Sequence, residues 1–430
     1  MTSVNISRIL PVKNQITPPA DKSVSHRAIM LASIAEGKTT VKNFLNAEDC
    51  MCTLRAFESM GVSVTKNAGN ELLVTGVGLR GLSKPRKEIY LGNSGTSMRL
   101  LLGILAGQEF ETVLTGDDSL SKRPMKRVTQ PLISMGAKIE GADNANFAPL
   151  KIKGGGLKAI NYNLPMPSAQ VKSCLMLAAL YANGTSIITE PQKSRDHTER
   201  MFRLFKINCP LGSKISVTGN SKPISPGEII IPADISSAAF FIALGVLLPD
   251  SQILIKSCGV NPTRTGFLDV LKRMGALIDI TNVKAKDYEP YADIIAQTSK
   301  LKSTTIEAEE IPRMIDEIPI FALLAAFAQG ETIIKGLSEL RVKETDRINS
   351  IVTGLSSVGV DIKTKEDTII VRGPSKLKPA RVQSFGDHRT AMTLIIAGCL
   401  SEGETIVEDT DCIDTSFPAF VEIISGFKKR

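Results

Sequence analysis

"GTSMRLLLGILAGQEFETVLTG", residues 95–116, opens on a glycine, two hydroxyls and, two residues on, an arginine. It then runs through a strongly apolar stretch, turns near Gly107 and ends on a β-branched segment. A helix that is apolar nearly all round is buried on every side, and the segment after it reads as a strand. The same plan recurs five times: "SHRAIMLASIAEGKTTVKNF" (25–44), "AQVKSCLMLAALYANGTSIITE" (169–190), "ISSAAFFIALGVLLPDSQILIKS" (235–257), "IDEIPIFALLAAFAQGETIIKG" (315–336) and "GDHRTAMTLIIAGCLSEGETIVED" (386–409). Successive starts lie 66 to 80 residues apart. That period is too long for a solenoid and fits a unit of two helices and about four strands. Weaker amphipathic helices lie between, in "DCMCTLRAFESMGVSV", "RPMKRVTQPLISMGAKI", "TGFLDVLKRMGALIDI" and "DRINSIVTGLSSVGVDI". Each ends at a glycine before a strand, the usual residue just past a helix end.

A chain of 430 residues exceeds one ordinary core. Six units divide as three plus three, so the expected fold is α/β with two domains, each holding buried helices inside a sheet shell. The break is expected within "GEIIIPADISS", 227–237. Net charge is +8, from 52 basic and 44 acidic residues, and aromatics are 5%. This balance suits small anionic substrates better than a nucleic-acid surface, which needs stacking aromatics and a concentrated basic patch. The longest apolar runs, "FFIALGVLL" and "IFALLAAFA", fall well short of the roughly 20 residues that span a bilayer. Seven scattered cysteines and three histidines argue against a metal site and for a reduced compartment. "MTSVNISRILPVKN" lacks a basic start followed by an apolar stretch. A cytoplasmic protein is therefore expected.

The polar openings of the apolar helices carry the chemistry. A buried helix leaves its first amide hydrogens unpaired, and those amides with the helix dipole favour an anion. "DKSVSHR" adds Lys22, Ser23 and Arg27; "GNSGTSMR" adds Asn93, Gly95 and Arg99; "PSAQVK" adds Ser168, Gln170 and Lys172; "GDHRT" adds Asp387 and Arg389. Simple capping by Ser, Asp and Asn explains any one of these starts; four starts each bearing a cation point to an anion pocket, expected in a cleft between the domains. Further polar islands supply Lys122 and Arg123, Ser194 and Arg195, Arg341, Lys343, Glu344 and Arg347, and Asp316. Read alone, the charged turns are equally consistent with solvated surface, Asp316 with a helix cap, and Glu344 with a surface ion pair.

"DKSVSHRA", "LGNSGTSMRL", "RPM", "SAQ", "LRVKETDR" and "GDHRTAM", in that order along the chain, resemble the 5-enolpyruvylshikimate-3-phosphate synthase family of 3-phosphoshikimate 1-carboxyvinyltransferases. The likeness runs from Lys22 to "TSFPAF". It implies two domains of three βαβαββ-type units each, an inside-out barrel arrangement. The first domain would be 20–234 and the second 1–19 with 235–430, with the active site in the cleft between them. It implies transfer of the carboxyvinyl group of phosphoenolpyruvate to the 5-hydroxyl of 3-phosphoshikimate with release of phosphate, through a tetrahedral intermediate and with no metal or organic cofactor. A monomer is implied, with no nucleic-acid or membrane partner.

By the same resemblance, Lys22, Ser23, Arg27, Ser168, Ala169, Gln170, Ser194, Arg195, Asp316 and Lys343 would hold 3-phosphoshikimate. Lys22, Gly95, Arg123, Gln170, Lys343, Arg347 and Arg389 would hold phosphoenolpyruvate. Asp316 would be the general base and Glu344 the proton donor, with Lys22 a further candidate for proton transfer. "SAQVK", "RDHTE", "NPTR" (261–264) and "IDTSFP" resemble the second of the family's two sequence classes. Ala20 stands where the family usually has glycine, and a positive φ there would strain it. The sister transferase acting on UDP-N-acetylglucosamine usually has Lys-Asn at the first motif and a cysteine before its Arg-Pro. Here the pair is Lys22-Ser23, and "GDDSLSKRP" holds no cysteine. A protein that binds RNA or processes RNA ends would also fit a repeated α/β scaffold; it is disfavoured by the few aromatics and by the absence of a nucleotide-binding glycine loop.

Overall fold

Each of the six apolar segments folds as one helix followed by one strand. A computed structural model describes residues 2–67, 69–284 and 288–427. The helices are Lys22–Ile34, Gly95–Leu105, Ala169–Ala179, Ile235–Leu247, Ile318–Phe327 and His388–Leu400. In Ile235–Leu247 every residue through Val246 is buried. Five of the six are capped by the side chain just before them: Asp21, Ser94, Ser168, Asp234 and Asp387 each accept from an amide of the first turn. The sixth follows a different rule. Pro319 occupies its first turn, where no amide is needed, and Ile315–Glu317 forms a 3-10 turn ahead of it.

The strands after these helices are Glu36–Lys42, Glu111–Thr115, Thr185–Thr189, Gln252–Gly259, Gly330–Ile334 and Glu404–Glu408. Each lies inside its own sheet, with a parallel strand on one side and an antiparallel strand on the other. Four sheets have a fourth strand and two stop at three. The amphipathic helices Glu48–Ser59, Lys126–Met135, Gly266–Arg273 and Arg347–Ser357 fill the remaining positions. Each is followed by a glycine of left-handed φ: Gly61, Gly136, Gly275 and Gly359. Glycine lets the chain reverse there without a Cβ penalty.

The chain divides into two compact units. One holds residues 20–67 and 69–231 with Tyr288 and Glu289; the other holds residues 2–19, 232–284 and 290–427. The division falls at Ile231/Pro232, and nothing in the sequence signals the attachment of Tyr288 and Glu289 to the first unit. A short strand precedes each crossing. Lys13–Ile16 comes just before the Lys22 helix but belongs to the second unit and pairs there with Gln252–Gly259; Glu228–Ile230 comes just before the Ile235 helix but belongs to the first unit and pairs there with Glu36–Lys42. Ser3–Ser7 pairs antiparallel with Glu404–Glu408.

One glycine brings two site-bearing helices together. A Cβ on Gly103 would stand 2.3 Å from the carbonyl oxygen of Cys174. Only glycine lets the Gly95 and Ala169 helices approach so closely, and their first turns are thereby held side by side.

Candidate active site

In the first unit the arginines Arg27, Arg99 and Arg123 donate to hydroxyl, amide and carbonyl oxygens. Arg27 is 4% exposed. Its Nε donates to Thr198 Oγ1 at 2.7 Å, Nη2 to Ser173 Oγ at 2.8 Å and Nη1 to the Ser23 carbonyl at 2.9 Å. Burial pulls its pKa down to about 10, partly offset by Glu199, so the guanidinium stays charged at neutral pH. Arg99 Nη1 donates to Gln170 Oε1 at 2.7 Å, and Gln170 Nε2 donates to Thr96 Oγ1 at 3.0 Å. Arg123 Nη1 donates to the Asn93 carbonyl at 3.2 Å; Nη2 bonds Asn93 Oδ1 and, at 3.2 Å, Ser119 Oγ. Lys22, with Nζ 3.0 Å from Asp49 Oδ2, and Lys172, between Glu190 and Glu199, meet carboxylates instead.

Gly95 sits under two of these guanidiniums. A Cβ there would lie 3.0 Å from Arg99 Nη1 and 3.4 Å from Arg123 Nη1. Its amide donates to the Asn93 carbonyl at 3.0 Å. Ser168 and Ala169 open the neighbouring helix. Beside Ser168 is a cavity of about 280 Å³, lined in part by Lys126, Arg127, Tyr162 and Met166. Ser194 donates to Glu190 Oε2 at 2.6 Å, and Arg195 next to it is half-buried.

Behind this surface runs a chain of short hydrogen bonds. His26 Nδ1 lies 2.7 Å from Thr53 Oγ1, Thr53 is 2.6 Å from Ser97 Oγ, and Ser97 is 2.6 Å from Ser94 Oγ. It ties the Lys22 helix to the cap of the Gly95 helix. Burial, reinforced by Lys22 and Arg27, pushes the His26 pKa well below its ordinary value, so the ring is neutral.

In the second unit the cations meet carboxylates. Arg347 is 1% exposed. Nε donates to Asp387 Oδ2 at 2.7 Å, Nη2 to Glu344 Oε2 at 2.5 Å, and Nη1 lies 3.5 Å from Asp316 Oδ1. Burial alone would lower its pKa; Asp387, Glu344 and Asp316 reverse that and raise it above the ordinary value. Arg389 Nη1 donates to the Asp316 carbonyl at 3.0 Å, and Nη2 is 3.7 Å from Asp316 Oδ2. Asp316 therefore faces two guanidiniums. Asp387 also caps the last apolar helix, accepting from the amides of Arg389 and Thr390. Lys343 and Glu344 lie in the loop leading into the Arg347 helix.

The comparisons with known proteins now bear on this arrangement. A family profile described as EPSP synthase (3-phosphoshikimate 1-carboxyvinyltransferase) matches residues 6–424. The chain belongs to the EPSP synthase family. A 3-phosphoshikimate 1-carboxyvinyltransferase of Bacillus cereus is 48% identical over 426 residues, 98% of this chain and 99% of that one. One of Thermodesulfovibrio yellowstonii is 48% identical over 432 residues, 99% of each. Among solved structures, an EPSP synthase of Acinetobacter baumannii matches with TM-score 0.87 and 43% identity, covering 99% of this chain and 98% of that one. An enolpyruvyl transferase of Streptomyces tendae matches with TM-score 0.80 at 16% identity, covering 99% and 96%, and so speaks for the fold alone. The mixed α/β architecture expected from the repeats is that of the EPSP synthase family.

Within this EPSP synthase family member the structure corrects several sequence expectations. Lys172, grouped with the anion-site cations, is fully buried, with Nζ 2.8 Å from Glu190 and 2.6 Å from Glu199. Two carboxylates occupy its charge, so it is a core ion cluster. Arg341 forms an exposed pair with Asp346 at 2.8 Å, the surface reading. Glu344 is not a surface pair, because its partner Arg347 is buried. Ala20 is absent from the residues of positive φ, so alanine is unstrained before Asp21.

Other site groups went unread. Asp49 lies in the acidic first turn of the Glu48–Ser59 helix, where Glu48 and Asp49 both look like dipole-matching charges. Nothing in the sequence marks Asp49 as the partner of Lys22. Ser173 and Thr198 lie one and three residues beyond Lys172 and Arg195, within quoted motifs, yet only packing turns them to Arg27.

Proposed function

We propose that this chain is a 3-phosphoshikimate 1-carboxyvinyltransferase, moving the carboxyvinyl group of phosphoenolpyruvate to the 5-hydroxyl of 3-phosphoshikimate and releasing phosphate. The observation that carries this reading is 48% identity across 98% of the chain to an enzyme of that name. The charges described above support it.

Arg27, with Lys22, Ser23, Ser168, Ala169, Gln170, Ser194 and Arg195, serves 3-phosphoshikimate. A buried arginine held by hydroxyls keeps its positive charge uncompensated by direct partners, which suits a phosphate dianion. Gly95, Arg123, Arg347 and Arg389, with Lys22, Gln170 and Lys343, serve phosphoenolpyruvate. Asp316, also placed on 3-phosphoshikimate with Lys343, takes the proton of the 5-hydroxyl as its oxygen bonds to C2 of phosphoenolpyruvate. A second group delivers a proton to C3. Loss of a C3 proton then expels phosphate from the tetrahedral intermediate. Glu344 or Lys22 fills the donor role. Glu344 is ion-paired with Arg347 and is not set up to release a proton until an incoming anion takes over that arginine.

The substrates are small anions, and no helix among the described residues is long and apolar enough to cross a membrane. The reading includes a cytoplasmic monomer with two functional domains and no nucleic-acid partner. Glyphosate, which competes with phosphoenolpyruvate in the family, is expected to bind, because Gly95 leaves room beneath Arg99 and Arg123.

The deciding experiment measures phosphate release from phosphoenolpyruvate with 3-phosphoshikimate, beside a parallel reaction with UDP-N-acetylglucosamine, neither with added metal. Release only in the first supports the reading. Release only in the second assigns the chain to the sister activity, and release in neither overturns both.

A further inference from the structure

The motif Asn261-Pro262-Thr263-Arg264 has no place in the substrate contacts above, yet it is built with care. The Asn261 side chain accepts from the Thr263 amide at 2.9 Å and from Thr263 Oγ1 at 2.8 Å. The Arg264 amide returns to the Asn261 carbonyl at 2.7 Å. Asn261, Thr263 and Arg264 are all buried, Arg264 to 2% exposure. This tight turn drives a guanidinium into the interior. There Nη2 donates to Ser236 Oγ at 2.7 Å and to Asp234 Oδ1 at 3.2 Å, and lies 3.8 Å from Glu317 Oε1. Ser236 also bonds the Glu317 carboxylate, and its amide donates to Asp234 at 2.9 Å.

Glu317 is 1% exposed and is the residue next to Asp316 in the 3-10 turn Ile315–Glu317. A buried arginine with two carboxylates is poor value as a stabiliser, since desolvation consumes most of the Coulomb gain. Its distinctive product here is geometry. The turn carrying Asp316 is gripped on its inner side through Glu317 and on its outer side by Arg389, which bonds the Asp316 carbonyl.

We propose that Arg264, acting through Ser236 and Glu317, is a positioning residue for the Asp316 carboxylate. The inference rests on the reading of Asp316 as the group that takes the 5-hydroxyl proton. The Asn261–Arg264 turn thus belongs to the catalytic apparatus without touching substrate. The planar guanidinium, held by the Asn261–Arg264 turn, fixes Nη2 beside Ser236, Asp234 and Glu317; a lysine ammonium on a flexible stem would carry the charge without that fixed plane.

The test is steady-state kinetics of Arg264→Lys and Glu317→Gln, each made alone and in an Asp316→Asn background. In the otherwise natural chain, Arg264→Lys should lower kcat by roughly 10- to 100-fold, the scale of a misplaced reacting group, with both KM values within about threefold. Glu317→Gln, which keeps the shape, should give a smaller loss of the same pattern. In the Asp316→Asn background, Arg264→Lys should change kcat by less than about twofold, because no carboxylate remains to be positioned. Equal losses in both backgrounds, or an unchanged kcat, overturn the proposal. If Arg264→Lys fails to fold, Ser236→Ala carries the same comparison. A natural chain that releases no phosphate from the two substrates overturns the functional reading and this inference with it; an active chain with additive losses overturns the inference alone.

Discussion

Arg27 and Arg347 are both almost fully buried, at 4% and 1% exposure, and keep opposite company. Arg27 donates to two hydroxyls and a backbone carbonyl. Arg347 is surrounded by Asp387, Glu344 and Asp316. The pKa of the first is pulled down by burial, and that of the second is raised by its carboxylates against burial. Under the proposed function, Arg27 can meet an anion without first losing a directly bonded carboxylate. An anion arriving at Arg347 would instead exchange with the protein carboxylates around it. Exchange is chemically useful in that reading: two of the displaced carboxylates, Asp316 and Glu344, are the ones assigned to proton transfer.

Removing a member of the exchanging set should cost most. Asp316→Ala is expected to lower kcat by about 10²- to 10⁴-fold, the usual range for a general base, with KM for 3-phosphoshikimate changed far less. Near-normal turnover would take Asp316 out of the mechanism.

The comparison also predicts unequal stability losses. Arg347→Met strands the buried Asp387 carboxylate, at a cost of about 3–5 kcal/mol. Arg27→Met leaves Ser173 and Thr198 already 2.7 Å apart and able to satisfy each other, so about 1–3 kcal/mol is expected. Denaturant unfolding of the two variants measures the difference, and equal losses would break the contrast.

Glu344→Gln separates binding from chemistry. Relieving one carboxylate should tighten phosphoenolpyruvate binding at Arg347, lowering its KM by up to roughly tenfold, the worth of one charge-assisted bond. If Glu344 is the proton donor, kcat falls at the same time. A raised KM would mean that Glu344 helps to hold the substrate.

The smallest effect concerns His26. Its folded pKa lies below the unfolded value near 6.5, so the neutral ring's contribution to stability is complete above pH 6.5 and is lost as pH falls toward the folded pKa. His26→Asn keeps an acceptor for Thr53 and has nothing to titrate. Unfolding free energies of the two proteins should diverge below pH 6.5, by at most about 1.4 kcal/mol per pH unit. Parallel curves would show that the ring does not titrate on unfolding.

Much of the fold was legible because burial on all sides leaves a plain trace. Residues 235–248 are apolar for almost their whole length, and the glycines at 61, 136, 275 and 359 mark helix ends by a conformation few other residues adopt. The pairing of the short strands before each crossing was not legible, since Lys13–Ile16 and Glu228–Ile230 look like any short strand and their partners are remote in sequence. At the site, residue types were readable and their company was not. "PSAQVK" shows a lysine after a helix start; that Lys172 points inward to Glu190 and Glu199 depends on side chains 18 and 27 residues on. Glu344 reads as a surface charge until Arg347 is found buried.

The pairing of Ser3–Ser7 with Glu404–Glu408 has a consequence for how the chain is made. A ribosome adding about 5–20 residues per second delivers residue 404 roughly 20–80 seconds after residue 3. Nearly all of the unit from 20 to 231 emerges first and is contiguous, so it can collapse while the amino-terminal strands still lack partners. Lys13–Ile16 gains its neighbour when Gln252–Gly259 appears; Ser3–Ser7 waits longer. The unpaired strand edge is exposed throughout that interval, and a chaperone that shields extended segments would act there, before the newly made end of the chain arrives to cover it.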